Sequence, residues 1–205
     1  MALSQTRGER RRSQTIQEIL DHAVAVMDEV GVAGLSMSEV ARRVGIQPPS
    51  LYKYFPSRLA LFDALFGDGQ RANLEAFRAG AEGAPPGVPA LTAALEASGR
   101  WAMANQSLAL LMFSRPVPGF EPSAEAFAPS LAMVADVQQM LRDAVGKGQL
   151  KPEACGPEGL TTVSILMTGV MSQQLANEPD VAYEDGRYTR LAPRLFDMFT
   201  TYYRP

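Results

Sequence analysis

The side chains best equipped for chemistry lie between residues 36 and 58, and the chemistry they offer is hydrogen bonding and charge pairing. The stretch 37–54 reads MSEVARRVGIQPPSLYKY, in which glutamine, serine, tyrosine and lysine follow a run of apolar residues. Glutamine can grip an adenine edge through two hydrogen bonds, and lysine and arginine neutralise phosphates. Residues 1–58 hold eight Lys or Arg and six Asp or Glu, whereas the whole chain has a formal net charge of −3. This distribution permits a nucleic-acid-binding surface near the N-terminus.

Two short helices that meet at a turn are expected to position these side chains. Ala41 is small enough for two helices to cross closely, Gly45 suits a tight turn four residues later, and Leu51 is apolar six residues after that. This is the spacing of a helix-turn-helix. The second helix of this pair, which is the third helix of the chain, is predicted from Pro48 to about Phe55, because proline is tolerated in a first helical turn.

Helical periodicity flanks this pair on both sides. Apolar residues recur on one helix face over residues 16–31, with Thr15 and Glu18 as the expected capping box. Ser36 is the expected cap of the second helix, and Ser57 the expected cap of a fourth. Residues 1–12 are polar and Arg-rich, which predicts a flexible basic arm.

The remaining three quarters of the chain are predicted to be helical throughout. Pro/Gly-rich loops at 82–89 and 115–123 separate helical patterns near 90–113, 123–146, 157–177 and 187–203, and no run alternates with period two. The expected fold class is all-α, with an N-terminal three-helix helix-turn-helix domain and a C-terminal helical bundle. The predicted division is an arm at 1–12, a DNA-binding domain at 13–58 and a ligand-binding and dimerisation domain at 59–205.

The segment from Ile16 to Leu65 resembles the DNA-binding domain of the TetR-like (tetracycline-repressor-like) bacterial transcriptional regulators. The resemblance is strongest at the A-x-x-x-G-[IV] turn over 41–46 and at LYKYFPSR over 51–58. It implies a homodimer that binds a palindromic or near-palindromic double-stranded DNA operator and responds to a small-molecule effector. The chain departs from the family pattern at Pro48 and Pro49, where a polar residue and glycine are common, and at Lys53, where histidine is common.

On that resemblance, the second helix of the pair enters a major groove with its N-terminal end toward the bases. The expected base-edge contacts are Gln47, Pro49 and Ser50, and the expected phosphate contacts are Ser36, Ser38, Tyr52, Lys53 and Arg58. For each of these residues, the alternative is an exposed polar side chain without a partner. Arg42 and Arg43 either touch phosphate or solvate a helix face.

The C-terminal part has the composition of an apolar binding site. Seven of the ten methionines follow residue 100, and methionine adapts to irregular apolar shapes. Ordinary core packing is the alternative for each residue. The predicted ligand-binding residues are Trp101, Asn105, Phe113, Phe127, Met133, Met167, Met171 and Gln174. We expect a small, mainly apolar effector.

The helix near 159–175 is apolar on nearly every side, which predicts burial on all sides. One face is expected to meet its own domain, and the other a twin subunit, together with the last helix. Two glycines inside the fourth helix, Gly67 and Gly69, predict a bend or soft point between head and body, because each disfavours helix by about 1 kcal/mol relative to alanine.

The residue inventory argues against an enzyme, a metal site and a bound cofactor. His22 is the only histidine and Cys155 the only cysteine, so a nucleophilic triad or metal site lacks its parts. No internal disulfide can form and no apolar run can span a bilayer, which together favour a cytoplasmic protein with no membrane partner. The expected function is transcriptional repression relieved by the effector. The alternatives are a helical small-molecule-binding protein, or an activator or constitutive repressor without an effector.

Overall fold

Residues 6–205 are described by a computed structural model, and over this range the chain contains α-helices, short 3-10 turns and no strand. The helices are α1 Arg7–Val30, α2 Met37–Val44, α3 Pro48–Leu51, α4 Arg58–Ala81, α5 Val88–Ala104, α6 Gln106–Ser114, α7 Ala124–Gly146, α8 Pro157–Asn177 and α9 Ala192–Tyr202. The all-α prediction is confirmed. Among these helices, none is long and apolar enough to cross a lipid bilayer.

The first helix begins nine residues before the predicted apolar face. Thr6 and Glu9 form its capping box, with the Thr6 N–H donating to Glu9 Oε2 over 2.7 Å and the Glu9 N–H donating to Thr6 Oγ1 over 3.3 Å. The capping box expected at Thr15 and Glu18 is therefore wrong, since the Thr15 hydroxyl donates to a carbonyl one turn back, inside the helix. Residues 7–12 of the predicted arm are helical and residues 1–5 lie outside the described part, so the division at residue 12 stays a prediction.

Three further boundaries differ from the expectation. The third helix ends at Leu51 and continues as turns, and the helical stretch expected at 90–113 divides at Asn105 into α5 and α6. The last helix begins at Ala192 because Pro193, which cannot donate a backbone hydrogen bond, occupies its first turn.

Ser36 precedes α2 in extended conformation, but its hydroxyl bonds that of Ser38 instead of capping the helix.

Helix α4 runs through both parts of the fold. Its 24 residues span about 36 Å at 1.5 Å per residue. Leu61, Phe62 and Leu65 are buried in one cluster with the apolar faces of α1–α3, whereas Phe77 is buried in a second cluster with α5, α7, α8 and α9. The boundary proposed at residue 58 stays a prediction, although the head core extends into the first two turns of α4.

The glycines of α4 lie where other helices approach closely. A Cβ on Gly67 would stand 3.2 Å from the Ala126 Cα of α7, and one on Gly69 would stand 2.9 Å from the Met112 Sδ of α6. The helix continues unbroken through both residues. Close packing against α6 and α7 therefore explains these two glycines without a bend.

The start of α7 is fixed against α4 by hydrogen bonds. The Asp63 carboxylate accepts from the Ser123 N–H at 2.7 Å and from the Ser123 hydroxyl at 2.8 Å, while Ser123 Oγ accepts from the Ala126 N–H at 3.1 Å. Two turns of helix then lead past Pro129, which lies inside α7 and has no N–H to donate to the preceding turn. The start of α7 is thus held to α4, and one backbone hydrogen bond is missing at Pro129.

We predict that Gly80→Ala destabilises the fold by roughly 1–3 kcal/mol, because the new methyl group would meet rigid backbone and exceed the space available. Its Cβ would stand 2.8 Å from the Ala93 carbonyl oxygen and closer still to the Ala97 Cβ, both on α5. Urea unfolding followed by circular dichroism measures the change.

Gly146→Ala is the control, since a Cβ there meets nothing within 4 Å. This variant should keep or slightly raise the free energy of unfolding. Equal effects of the two substitutions would contradict the close-packing explanation of Gly80.

Candidate nucleic-acid interface and body cavity

The turn between α2 and α3 has the backbone geometry that its residue types require. Gly45 adopts φ +76°, a left-handed conformation that glycine accepts without strain, and its N–H donates to the carbonyls of the last turn of α2. The Ile46 N–H donates to the Ala41 carbonyl at 3.0 Å. Ala41 and Leu51 are both fully buried. The two helices therefore cross closely at the predicted positions.

The outer face of α3 presents the polar residues chosen from the sequence. Gln47, Pro49, Tyr52 and Lys53 are exposed, and Ser50 is half-buried. Gln47 lies at the N-cap, so it extends from the end of the helix that would face the bases. Four of the five predicted residues are thus exposed on or next to α3, and their contacts with DNA stay a prediction.

The phosphate contacts predicted outside α3 border the same surface. Ser36 is half-buried and Ser38 exposed, and their hydroxyl oxygens lie 2.9 Å apart at the start of α2. Arg58 is exposed at the start of α4, where its guanidinium donates to the Ala33 carbonyl at 3.4 Å and lies 5.8 Å from the Phe62 ring centroid. These contacts hold Arg58 beside the turn that precedes α2.

Two arginines of α2 are engaged by carboxylates. Arg43 forms ion pairs with Glu29 of α1 at 2.6 Å and with Glu39 at 2.8 Å, and Arg42 pairs with Glu39 at 2.7 Å. The hydrogen bonds from Arg42 and Arg43 lower the pKa of Glu39 from 4.5 to about 2. Arg43 therefore ties α2 to α1, whereas Arg42 keeps 71% of its side chain exposed and can still reach a phosphate.

Arg12 of α1 contacts a residue that follows α3. The Arg12 guanidinium lies 5.1 Å from the ring centroid of Tyr54, which follows α3. A guanidinium over an aromatic face is an attractive arrangement. The contact places the Arg12 guanidinium beside the residues that follow α3.

A cavity of about 220 Å³ lies between α4, α5, α6, α7 and α8 in the body. Five of the eight predicted ligand-binding residues line it. They are Phe113, Phe127, Met133, Met167 and Met171. The apolar character expected from the methionine content is therefore present at one place in the fold.

The structure does not bring the other three predicted residues to the cavity. Gln174 is fully buried, and its amide accepts from the Tyr188 N–H at 3.2 Å and donates to the Glu178 carbonyl at 2.9 Å, which fixes the loop before α9. The Asn105 amide donates to the Trp101 carbonyl at 2.8 Å and closes α5. The Trp101 ring packs between two apolar clusters.

Sequence reasoning missed the polar wall of the cavity. Gln70, Asn73 and Ser98 line it, and the two amide residues are almost fully buried on α4. The signal was available, because Gln70 and Asn73 share a helix face with Phe66 and Phe77 at the i, i+3, i+4 and i+7 spacing of a buried stripe. Polar residues within such a stripe indicate an internal site.

Helices α2 and α3 cross at a glycine turn and pack on α1, which is the arrangement of a helix-turn-helix protein. This head is joined to an all-α body that contains the cavity. Residues 19–65 match the family model described as bacterial regulatory proteins, tetR family. The head is therefore TetR-like over residues 19–65, which confirms the resemblance noted between Ile16 and Leu65. Within the described residues, no group of three His, Cys, Asp or Glu side chains is arranged to hold a metal ion.

Sequence similarity to characterised relatives is confined to the head, whereas similarity of fold covers most of the chain. The tetracycline repressor protein class A from transposon 1721 of Escherichia coli is 43% identical over 47 residues, which are 23% of this chain and 22% of that protein. The matched segment thus spans about a fifth of the curated relative's length.

Two solved structures share the fold. A protein of unknown function from Rhodococcus sp. RHA1 superposes with a TM-score of 0.77 at 21% identity over 93% of this chain and 96% of its own. The transcriptional regulator FadR from Bacillus subtilis, in complex with stearoyl-CoA, superposes with a TM-score of 0.75 at 13% identity over 90% and 97%.

The lowered pKa of Glu39 predicts a pH-dependent contribution to the stability of the head. A carboxyl group whose folded-state pKa is depressed stabilises the fold above its ordinary pKa of 4.5, and the contribution is lost as pH falls toward about 2. Glu39→Gln should therefore lower the free energy of unfolding at pH 6 more than at pH 3, measured by urea unfolding.

Glu75→Gln is the matched control, because Glu75 is exposed on α4 and forms no ion pair with the described residues. It should show a smaller difference between the two pH values. If Glu39→Gln has the same effect at pH 3 as at pH 6, the ion pairs with Arg42 and Arg43 do not contribute to folding.

Proposed function

We propose that this chain is a transcriptional regulator that binds a palindromic or near-palindromic DNA operator as a homodimer, and a repressor released by a small, mainly apolar effector. The exposed side chains of Gln47, Pro49, Tyr52 and Lys53, on α3 and the residues that flank it, carry this proposal. The match of residues 19–65 to the tetR family model supports it. The FadR structure was solved with stearoyl-CoA, which supports an effector in the body of this chain as well.

The roles proposed for individual residues follow from their places on the surface. Gln47 extends from the N-terminal end of α3 and can bond one base edge, and Pro49 can contact a thymine methyl group. Lys53 lies at the C-terminal end of this surface and forms no ion pair with the described residues, so its charge is available to a phosphate. Base contacts would set sequence preference, and phosphate contacts would set affinity.

We predict different effects for Gln47→Ala and Lys53→Ala on DNA selected by the protein from random sequences. Gln47→Ala should relax discrimination at one base pair of each half-site by about 1–3 kcal/mol. Lys53→Ala should weaken binding to all sequences alike and reduce the slope of log affinity against log salt by about one per head. Fluorescence anisotropy over a salt series measures both.

Lys147→Ala, an exposed lysine at the end of α7, is the charge-matched control and should change neither property. If the unaltered protein shows no salt-dependent affinity for any selected DNA, the regulator proposal fails. A helical small-molecule-binding protein, for which the body cavity alone would suffice, would then be the better description.

The proposed dimer uses helices α8 and α9. Ile165 on α8 is 63% exposed, and Met198 and Tyr202 on α9 are 62% and 71% exposed. Leu166 and Leu195 border an apolar groove between the same two helices. Large apolar side chains grouped in this way mark an interaction surface. Pairing of two copies here would give one protein two recognition helices, which operator binding requires about 34–36 Å apart.

We predict that Ile165→Asp converts the dimer to a monomer, because a charge would be buried without a partner at the centre of the interface, at a cost of 2 kcal/mol or more. Light scattering coupled to size exclusion measures the mass, and circular dichroism should show unchanged helix content. Leu131→Asp on α7 is the control, since Leu131 is 60% exposed and lies off α8 and α9. A dimer that persists in Ile165→Asp but dissociates in Leu131→Asp would place the interface elsewhere.

A further inference from the structure

The body cavity has one polar wall, formed by α4 and α5. Gln70 is 6% exposed and Asn73 is 2% exposed, and both side chains line the cavity. The Ser98 hydroxyl donates to Asn73 Oδ1 at 2.8 Å, which orients the Asn73 amide group. The Asn73 side-chain N–H groups form no hydrogen bond with the described residues, so they are available to a ligand in the cavity.

The Gln70 amide has no hydrogen-bond partner among residues 6–205. Every fully enclosed side-chain nitrogen or oxygen in this part of the chain is hydrogen-bonded. The two polar atoms of Gln70 must therefore border the open space of the cavity. A carboxamide supplies both a donor and an acceptor, and leaving it without a partner in an apolar site is costly.

None of the described residues that line the cavity is charged. The other walls are formed mainly by methionine, phenylalanine, leucine and valine, with serine and threonine on α7 and α8. Transfer of a carboxylate, phosphate or ammonium group into such surroundings is strongly unfavourable without an opposite charge. The cavity therefore selects against ionised ligands.

The volume limits the size of the ligand. A cavity of 150 Å³ in another protein holds benzene, and this one measures about 220 Å³. A six-membered ring with one or two small substituents is the size that fits. Phe113 and Phe127 among the lining residues offer aromatic faces to such a ring.

We propose that the cavity binds a neutral molecule of the size of a substituted benzene ring, whose single carbonyl, hydroxyl or amide group is held by Gln70 and Asn73. This assignment rests on the proposed function in identifying the occupant as the effector. The apolar walls bury the ring, and the polar wall on α4 fixes its orientation. Because α4 also begins in the head, the ligand would be anchored on the helix that both parts of the molecule share.

The test uses the full-length chain and two pairs of probes that match in shape. Acetophenone and ethylbenzene differ in a carbonyl oxygen, and benzamide and benzoate differ in charge. Isothermal calorimetry gives each dissociation constant, and thermal unfolding gives each Tm shift. Acetophenone should bind about tenfold or more tightly than ethylbenzene, and benzamide should raise Tm whereas benzoate should not.

A substitution locates the hydrogen bond. Gln70→Met keeps the length of the side chain and removes its polar atoms, so acetophenone should bind this variant no more tightly than ethylbenzene does. Gln138→Met on α7 is the control, because Gln138 does not line the cavity, and it should retain the tenfold preference. The comparison of probes on the unaltered protein stands even if Gln70→Met does not fold.

Equal binding of acetophenone and ethylbenzene, tighter binding of benzoate than of benzamide, or no Tm shift with any neutral probe at its solubility limit would overturn the assignment. Salt-dependent DNA binding, measured separately, distinguishes the two proposals. DNA binding without binding of the neutral probes refutes only the ligand class. Binding of the neutral probes without DNA binding refutes only the regulator.

Discussion

Close packing around α4 is the constraint on which the rest of the molecule depends. This helix contributes Phe62 to the core of the head and Phe77 to the core of the body, and its glycines admit α6 and α7 to within contact of its backbone. A helix buried on several sides cannot rotate or slide without repacking both cores. The relative placement of the head and the cavity is therefore set by α4, together with α6 and the loop before α7, whose Val117 and Phe120 are buried in the same cluster as Phe62.

The two candidate sites both use amide side chains, but those on the head are exposed and those in the body are buried. On the head, Gln47 and Lys53 are exposed to solvent. The ion pairs of Arg43 tie α2, on which α3 packs, to α1. In the body, Gln70 and Asn73 are already removed from bulk water, so their unused hydrogen-bonding capacity raises the demand for a matching group. Exposure favours broad electrostatic attraction, whereas burial favours chemical selectivity.

The sequence predicts a residue's place correctly where that place is determined by neighbouring residues in the chain. Ala41, Gly45 and Leu51 could be placed correctly because a tight turn between crossed helices restricts each of them. The start of α1 could not, because apolar periodicity follows burial and the first turns of that helix face solvent. The buried helix faces of Gln174 and Gln70 indicate that both are internal, but only the tertiary fold decides that the first binds a loop while the second borders the cavity.

Pro129 interrupts the backbone hydrogen bonding inside α7. The hydrogen bonds that Ser123 donates to Asp63 anchor the turn before it, and the missing proline N–H removes one backbone hydrogen bond just beyond that anchor. The segment beyond the proline is held as well, because Leu141 and Ala144 are fully buried in the body core and Asp136 pairs with Arg78 of α4 at 2.7 Å. The missing backbone hydrogen bond thus lies between two segments that α4 holds in place, and α7 stays one helix across the proline.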